Sequence, residues 1–577
     1  MPSRGGAMHV VTTRRHYKDK VYETHLLRRS YREGGKVRNQ TLANLSHLPA
    51  EVIELIRRSL RGEAFVGAGE GFEIARSLPH GHVAAVVAQA RTLGLPELLG
   101  PACGERDLAF ALVVARVCRP GSKLATARWW ADTTLAADLG VADASSDDVY
   151  GAMDWLLGRQ GTIEAALARR HLVPGGLVLY DLSSSWVEAS HCPLAARGYS
   201  RDRKSGRAQI EYGLVTDPEG RPLSVEVFAG NTADPTAFVS AAEMVRERFG
   251  LTDVVFVGDR GMITSARIRA LREVGGVGWV TSLRAPAVAA LVGADGPLQL
   301  SLFDASNLAE ISHPDYPGER LVACRNPALA SERARKRTEL LAATEALLAK
   351  VAASVDAGKL RDQAKIALRV GHCLNRYKMA KHFELDIAEG RFAYSRKDQA
   401  IAAEAALDGI YVIRTSVGSS TMSAPEVVQA YKRLTLVEAD FRSLKAIDLD
   451  LRPIYHHLSD RVRAHVLICM LAAYLVWHLR RAWAPLTFTD EDRPARTDPV
   501  APARRSTAAQ AKAARRRTAE GEAAHSFASL LDHLATLTRD EIVFTASGAR
   551  VNKLANATAV QRKAFELIES TVPMTLM

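Results

Sequence analysis

GLVLYDLSS, residues 176–184, is a short apolar run closing on polar residues, the pattern of a buried strand. After it, AQIEYGLVTD (208–217) and RPLSVEVFAG (221–230) flank the turn signal Pro218-Glu219-Gly220, and read as the second and third strands of a meander. A helical stretch, TAFVSAAEMVRERFG (236–250), leads to a further buried strand, DVVFVGD (253–259). SARIRALREVG (265–275) is helical again, and GWVTSLR (278–284) is again a strand. Three hairpin-joined strands followed by helix, strand, helix and strand predict a mixed α/β sheet over 173–284.

Upstream, 76–172 has helical periodicity, with Ser146-Asp147-Asp148 offering caps before VYGAMDWLLGRQ. Residues 1–75 open with nine basic side chains against three acidic ones between 14 and 38. Within them, YETHLLRRSYREGGKVRNQTLANL (22–45) reads as two strands around Gly34-Gly35, either a solvated charged face or a ribbon that grips phosphates. Downstream, 285–407 reads as a partly helical insertion. The sheet resumes over 408–485 with the strand DGIYVIRTS and a helix that starts at Ser423, Pro425 and Glu426. Residues 486–525 read as a basic flexible linker, because 501–517 holds six basic residues and no acidic one. A small tail, 526–577, closes the chain.

At 577 residues the chain holds several domains by the usual prior of about 150 residues each. A net charge of +12 and a pI near 9.4 favour a polyanionic partner, with nucleic acid the commonest. Six cysteines form no CxxC pair, which argues against a disulfide framework and a zinc ribbon. His191-Cys192 and His372-Cys373 lack the further ligands a metal site needs. No signal-peptide core opens the chain, and the apolar run Val466 to Trp477 is too short to cross a bilayer. These features predict a cytoplasmic protein with a buried helix there and no membrane partner.

Asp181 falls at the end of the first sheet strand and Asp259 at the end of the fourth, just before Arg260. If those strands are neighbours, both carboxylates emerge at one sheet edge, where such a pair calls for a shared proton or a cation. In the helix over 427–445, Tyr431, Glu438 and Lys445 recur every seven residues and fall within about 40° of one another, flanked by Phe441 and Arg442. A carboxylate beside a tyrosine and a lysine suits Mg²⁺ and phosphate together. Each piece also has a bland reading: a turn aspartate, or a Glu438–Arg442 surface pair.

YDLSS, GNTADPTAF, FVGDRGM and YKRLTLVEADFRSLK together resemble the DDE transposases of bacterial insertion sequences, in the insertion-sequence-four-type branch. SYREGGKV, GYSRDRKSGRAQIEYGL, RVGHCLNRYKMAKHF and IYHHLSDRVRAHVLICML resemble its subgroup named after insertion sequence sixteen-thirty-four. The branch's Tyr–Arg–Glu–Lys signature is matched by Tyr431, Glu438 and Lys445. Leu434 takes the arginine position, with Arg433 one residue earlier and about 100° round the helix.

The resemblance implies an RNase H-like mixed-sheet core interrupted by a long insertion, with basic and helical domains before it. It implies that Asp181, Asp259 and Glu438 hold two Mg²⁺ ions, for which Mn²⁺ substitutes, and that double-stranded DNA is cut at the element's terminal repeats and joined to target DNA. Tyr431, Lys445, Arg433, Arg442 and Arg260 would then meet DNA. Asn231, Thr232 and Asp234 match a family motif and read as helix-capping residues. It further implies a homodimer when two ends are paired, and a nucleoid-associated location. Three alternatives carry less: an aspartyl phosphatase, which wants a second Asp where Ser183 stands; a plain RNase H-fold nuclease; and an inactive DNA-binding descendant.

Overall fold

Eight strands make one mixed sheet: β1 (Leu177–Trp186), β2 (Gln209–Thr216), β3 (Pro222–Ala229), β4 (Val254–Val257), β5 (Val277–Ser282), β6 (Leu308–Ile311), β7 (Arg320–Arg325) and β8 (Ile410–Thr415). Their order across the sheet is β6-β7-β8-β5-β4-β1-β2-β3. The predicted meander β1–β2–β3 is antiparallel, with Gly220 at φ +80° in its second turn. β4 and β5 then join parallel to β1, as the helix–strand alternation requires. Every residue of β2 is buried, as expected of a strand covered on both faces. The structure is a computed structural model and describes the chain apart from residues 1–5, 19, 64, 66, 68, 69, 203, 205, 293–295, 304, 305, 496, 497 and 577.

Two boundaries differ from the sequence reading. β1 does not stop at Asp181 but continues to Trp186, because its serines are bonded where they are buried. Ser185 Oγ meets Tyr212 Oη at 3.0 Å, and Ser184 Oγ accepts from Arg201 N–H at 3.0 Å. The insertion is also shorter than 285–407, since β6 and β7 belong to the sheet, antiparallel along β8. The chain's long excursion from the sheet lies between β7 and β8, as helices Pro327–Asp356 and Gln363–Tyr377 with the hairpin Phe383–Ala388/Arg391–Arg396. That lobe has its own core around Leu348, Ile366 and Phe392.

The helical stretch before the sheet forms as predicted, from Gly81–Thr92 to Gln160–His171, and includes α1 (Lys123–Ala131), capped by Ser122. Ser145, not Ser146, caps the helix Ser146–Gly158, in a capping box with Asp148. The helix Asp234–Glu243 starts from Ala233 without a side-chain cap, so Asn231 and Thr232 do not cap it; the Asp234 side chain lies outside the described residues. After β8 come α2 (Ala424–Lys432), capped by the Ser423–Glu426 box, then α3 (Leu434–Arg442) and α4 (Ser459–Ala482).

Among the described residues α4 is the one helix long and apolar enough to cross a membrane, and 83% of its apolar window is buried inside the protein. It packs on helices Gly104–Cys118 and Ser146–Gly158 and on β3, so the helical layer and the sheet share one hydrophobic core. Residues 486–525 are not the unstructured linker expected: Ser506 caps a helix, Thr507–Arg515, in a segment whose Ala, Lys and Arg favour helix.

The chain divides into two compact units, Leu78–Arg539 with Leu554–Met577, and Met1–Ser77 with Asp540–Lys553. The smaller holds a three-stranded sheet, Met8–Tyr17, Lys20–Glu33 and Lys36–Asn44, and the helix Ala50–Leu60. Its second hairpin turns at Gly34 and Gly35, with φ of +59° and +81°, as the doublet predicted.

Candidate active site

Strand register brings the first two carboxylates together. β1 and β4 pair Leu179 with Val257, and Asp181 and Asp259 each stand two residues further along. Carried two residues past the end of β4, that register would set them side by side on strands about 4.8 Å apart. Beyond β4 the Gly258 N–H still donates to the Val280 carbonyl at 3.2 Å. The Asp259 carbonyl closes a turn by accepting from Met262 N–H at 3.0 Å. Asp181 therefore sits inside a strand, and Asp259 at an exposed strand end.

The third carboxylate comes from α3, which packs against β1. Val437 and Phe441 are buried, with Phe441 edge-on to Tyr212 of β2 at 5.7 Å, and this leaves Glu438 exposed on the free side of the helix. No ion pair joins Glu438 to Arg442 among the described residues, so the bland i,i+4 reading does not hold. Arg442 instead lines a broad cavity with Asp440, Asp448 and Arg480.

The Asp181 carboxyl is set by burial first and by neighbouring charges second. Burial pushes the Asp181 carboxyl up to about 7, and the charges of Asp259 and Glu438 add to that. The Leu182 N–H, donating at 2.8 Å, and Arg201 oppose it. Tyr431, on α2, shares a 2.7 Å hydrogen bond with Ser282 Oγ at the end of β5. Burial raises its phenol above the usual tyrosine range; Asp259 adds to the rise and Arg260 opposes it. Tyr431 and Arg260 thus stand beside Asp259.

Among the described residues no three His, Cys, Asp or Glu side chains are close enough to form a closed metal cage. The donor set nevertheless fits Mg²⁺. That ion takes one or two carboxylates and fills its remaining positions with water and substrate phosphate. A carboxyl raised toward neutral by burial and two neighbouring acids, with Arg201 only partly opposing them, is one whose ionised form a cation would favour further.

The predicted single helix over 427–445 is three segments. α2 ends at Lys432, the helix re-forms at Leu434, and Ser443–Ile447 widens into a π turn. The break has a visible anchor, Arg433 Nη1 donating to the Pro218 carbonyl at 2.9 Å, which commits Arg433 to the β2–β3 turn. Lys445 falls within the π turn and is buried, with Nζ 2.8 Å from Asp202 Oδ1. Burial lowers its pKa and Asp202 resists that shift. Arg452 pairs with the same carboxylate.

Sequence reasoning missed Asp202, Arg201, Arg452 and Ser282. The first two lie in GYSRDRKSGRAQIEYGL, which was read only for its texture.

Residues 10–70 match the family model described as the IS1634 family transposase, N-terminal domain. Residues 183–475, a little over half of the chain, match the transposase DDE domain. That match begins two residues after Asp181 and takes in Asp259, Tyr431, Glu438 and Lys445. No curated protein matches the chain. Among solved structures, it is similar to the piggyBac transposase synaptic complex with hairpin DNA, at 9% identity and a TM-score of 0.31. The alignment covers 70% of this chain and 57% of that one.

Proposed function

The chain belongs to the IS1634 family of DDE transposases, and from that premise we propose that it binds the terminal inverted repeats of an insertion sequence, cuts there and joins the freed 3′-ends to target DNA. The β3-β2-β1-β4-β5 half of the sheet, an antiparallel meander followed by two parallel strands, supports reading the core as RNase H-like. Asp181, Asp259 and Glu438 are the residues that would hold two Mg²⁺ ions, or Mn²⁺ in their place. Bound there, the ions would sharpen a water or 3′-hydroxyl as nucleophile and stabilise the leaving oxygen.

The chain's own groups do the rest. Tyr431 and Arg260 stand next to Asp259, where a hydroxyl and a guanidinium can orient a phosphodiester. Lys445, held by Asp202, and Arg433, held by the Pro218 carbonyl, would reach a phosphate only by leaving those partners, whereas Arg442 could follow the strand further out. Paired ends call for two copies of the chain, a homodimer. A nucleoid location would follow from DNA binding. The observation that carries the reading is Asp181, aligned with Asp259 by strand register and within electrostatic reach of Glu438.

The test is Mg²⁺-dependent cleavage of DNA carrying the element's own ends, by wild type and by Asp181→Ala. Wild type should cut at the repeat tip, and the variant should lose roughly a hundredfold or more, since even supporting groups around a metal are worth 10- to 100-fold. Specific binding without cleavage in both proteins would sink the catalytic reading and leave a DNA-binding descendant.

A further inference from the structure

Where the helical layer meets the core, a cavity of about 480 Å³ is lined by Arg116, Ser122, Lys123, Arg452, His456 and His465. None of the three carboxylates lines it. Lys123 and Arg116 are only 5% and 4% exposed. Lys123 Nζ donates to His465 Nδ1 at 3.1 Å while His465 Nε2 donates to the Leu451 carbonyl at 3.1 Å, so this imidazole is neutral and contributes no counter-charge. Among the described residues the Arg116 guanidinium meets only carbonyls, Gly121 at 2.7 Å and Leu449 at 3.4 Å. The one carboxylate on the wall is Asp450, and among the described residues no ion pair joins it to Lys123 or Arg116.

Burial and the Arg116 charge together hold the Lys123 ammonium well below the usual lysine range. His456 is driven down to about 3 by burial, then by Lys123 and Arg116. The N-terminus of α1, from Ser122, lies on the same wall and adds the positive end of its dipole. Buried cations are ordinarily paired, and these are not, in a space large enough for more than an ion.

We propose that this cavity is a second phosphate site, taking a phosphate-bearing nucleotide of a nucleic-acid strand, with Lys123 and Arg116 as its principal cations. The strand as source rests on the DNA-cutting reading above; the anion chemistry rests on the cavity alone.

Thermal unfolding of the full chain in inorganic phosphate, or with a 5′-phosphorylated dinucleotide, against chloride at equal ionic strength tests it. Wild type should be stabilised by both, more tightly by the dinucleotide. Lys123→Met should bind each at least about tenfold more weakly, the worth of one charge-assisted hydrogen bond. In chloride the variant should be no less stable than wild type, because an unpaired buried charge has been removed, whereas a structural lysine would destabilise on replacement. Equal responses in both proteins, or no response beyond chloride, overturn the site. A response to phosphate without the dinucleotide overturns the strand as its source. Should Lys123→Met fail to fold, Arg116→Gln decides by the same phosphate and dinucleotide response. Wild type that cleaves DNA but ignores phosphate would sink this site and leave the proposed activity standing.

Discussion

With 2% of its side chain exposed, Asp202 accepts from Lys445 Nζ at 2.8 Å and from the Arg452 guanidinium, so one buried carboxylate serves two cations. Arg452 also lies over the Trp186 ring, 5.0 Å from its centroid, which fixes it at the end of β1. Removing a single partner from a buried pair leaves an uncompensated charge and costs about 3–5 kcal/mol. Asp202→Asn should therefore lower the unfolding free energy by about 3 kcal/mol in a urea titration. A loss under about 1 kcal/mol, the range of surface pairs, would mean that water already reaches Lys445. The three carboxylates were legible in the sequence because each sits on a local signal: a strand, a strand end, or a helical repeat. Asp202 was not. Its neighbours Arg201, Lys204 and Arg207 make the stretch look solvated, and its burial depends on Arg452, 250 positions away.

Edge strands need cover for their outer backbone groups, and β3 is the edge of this sheet. Its Val225 is covered by the helix Gln160–His171. Gln160 Nε2 donates to the Val225 carbonyl at 2.8 Å, and Glu164 Oε1 accepts from the Val225 N–H at 3.0 Å. Glu164 is fully buried, and its other oxygen faces Arg248, whose side chain is 47% exposed and so screened by water. Burial outweighs these partners and raises the Glu164 carboxyl from 4.5 to about 7. Between those values the folded chain binds more protons than the unfolded one. The group's stabilising contribution is then complete below pH 4.5 and lost as pH rises through 7. Glu164→Gln keeps the acceptor and removes the titration. The variant should gain on wild type by roughly 2 kcal/mol between pH 5 and pH 8, read from urea midpoints. A difference that does not change with pH would mean that Arg248 keeps the carboxylate ionised throughout. Element type was readable here, but continuity was not. A seven-residue repeat drew one helix over 427–445, whereas the bond from Arg433 to Pro218 and the π turn at Lys445 are tertiary choices that no periodicity carries. β6 and β7 were absorbed into the insertion because strands of four and six residues are too short to show an alternation of their own.

Within the larger unit, α4 joins the helical layer and the sheet through one core. The lobe between β7 and β8 is the exception. Arg325 and Ile410 are partners across the antiparallel pair, and the Asn326 N–H donates to the Gly409 carbonyl at 2.8 Å. The lobe thus departs and returns at neighbouring points, as the loop of a hairpin, and brings its own core with it. Length in such a loop costs little closure entropy, and shortening it costs none. Replacing residues 327–408 with Asn-Gly should give a two-residue turn across the Asn326–Gly409 bond. The remainder should unfold cooperatively, within a few degrees of the full chain, when followed by circular dichroism. Retained cooperative unfolding would establish that the sheet completes itself through β6–β7–β8 without the lobe. A broad, non-cooperative melt would place the lobe's helices among the contacts that hold the sheet, despite the separate core and the closed hairpin at its base.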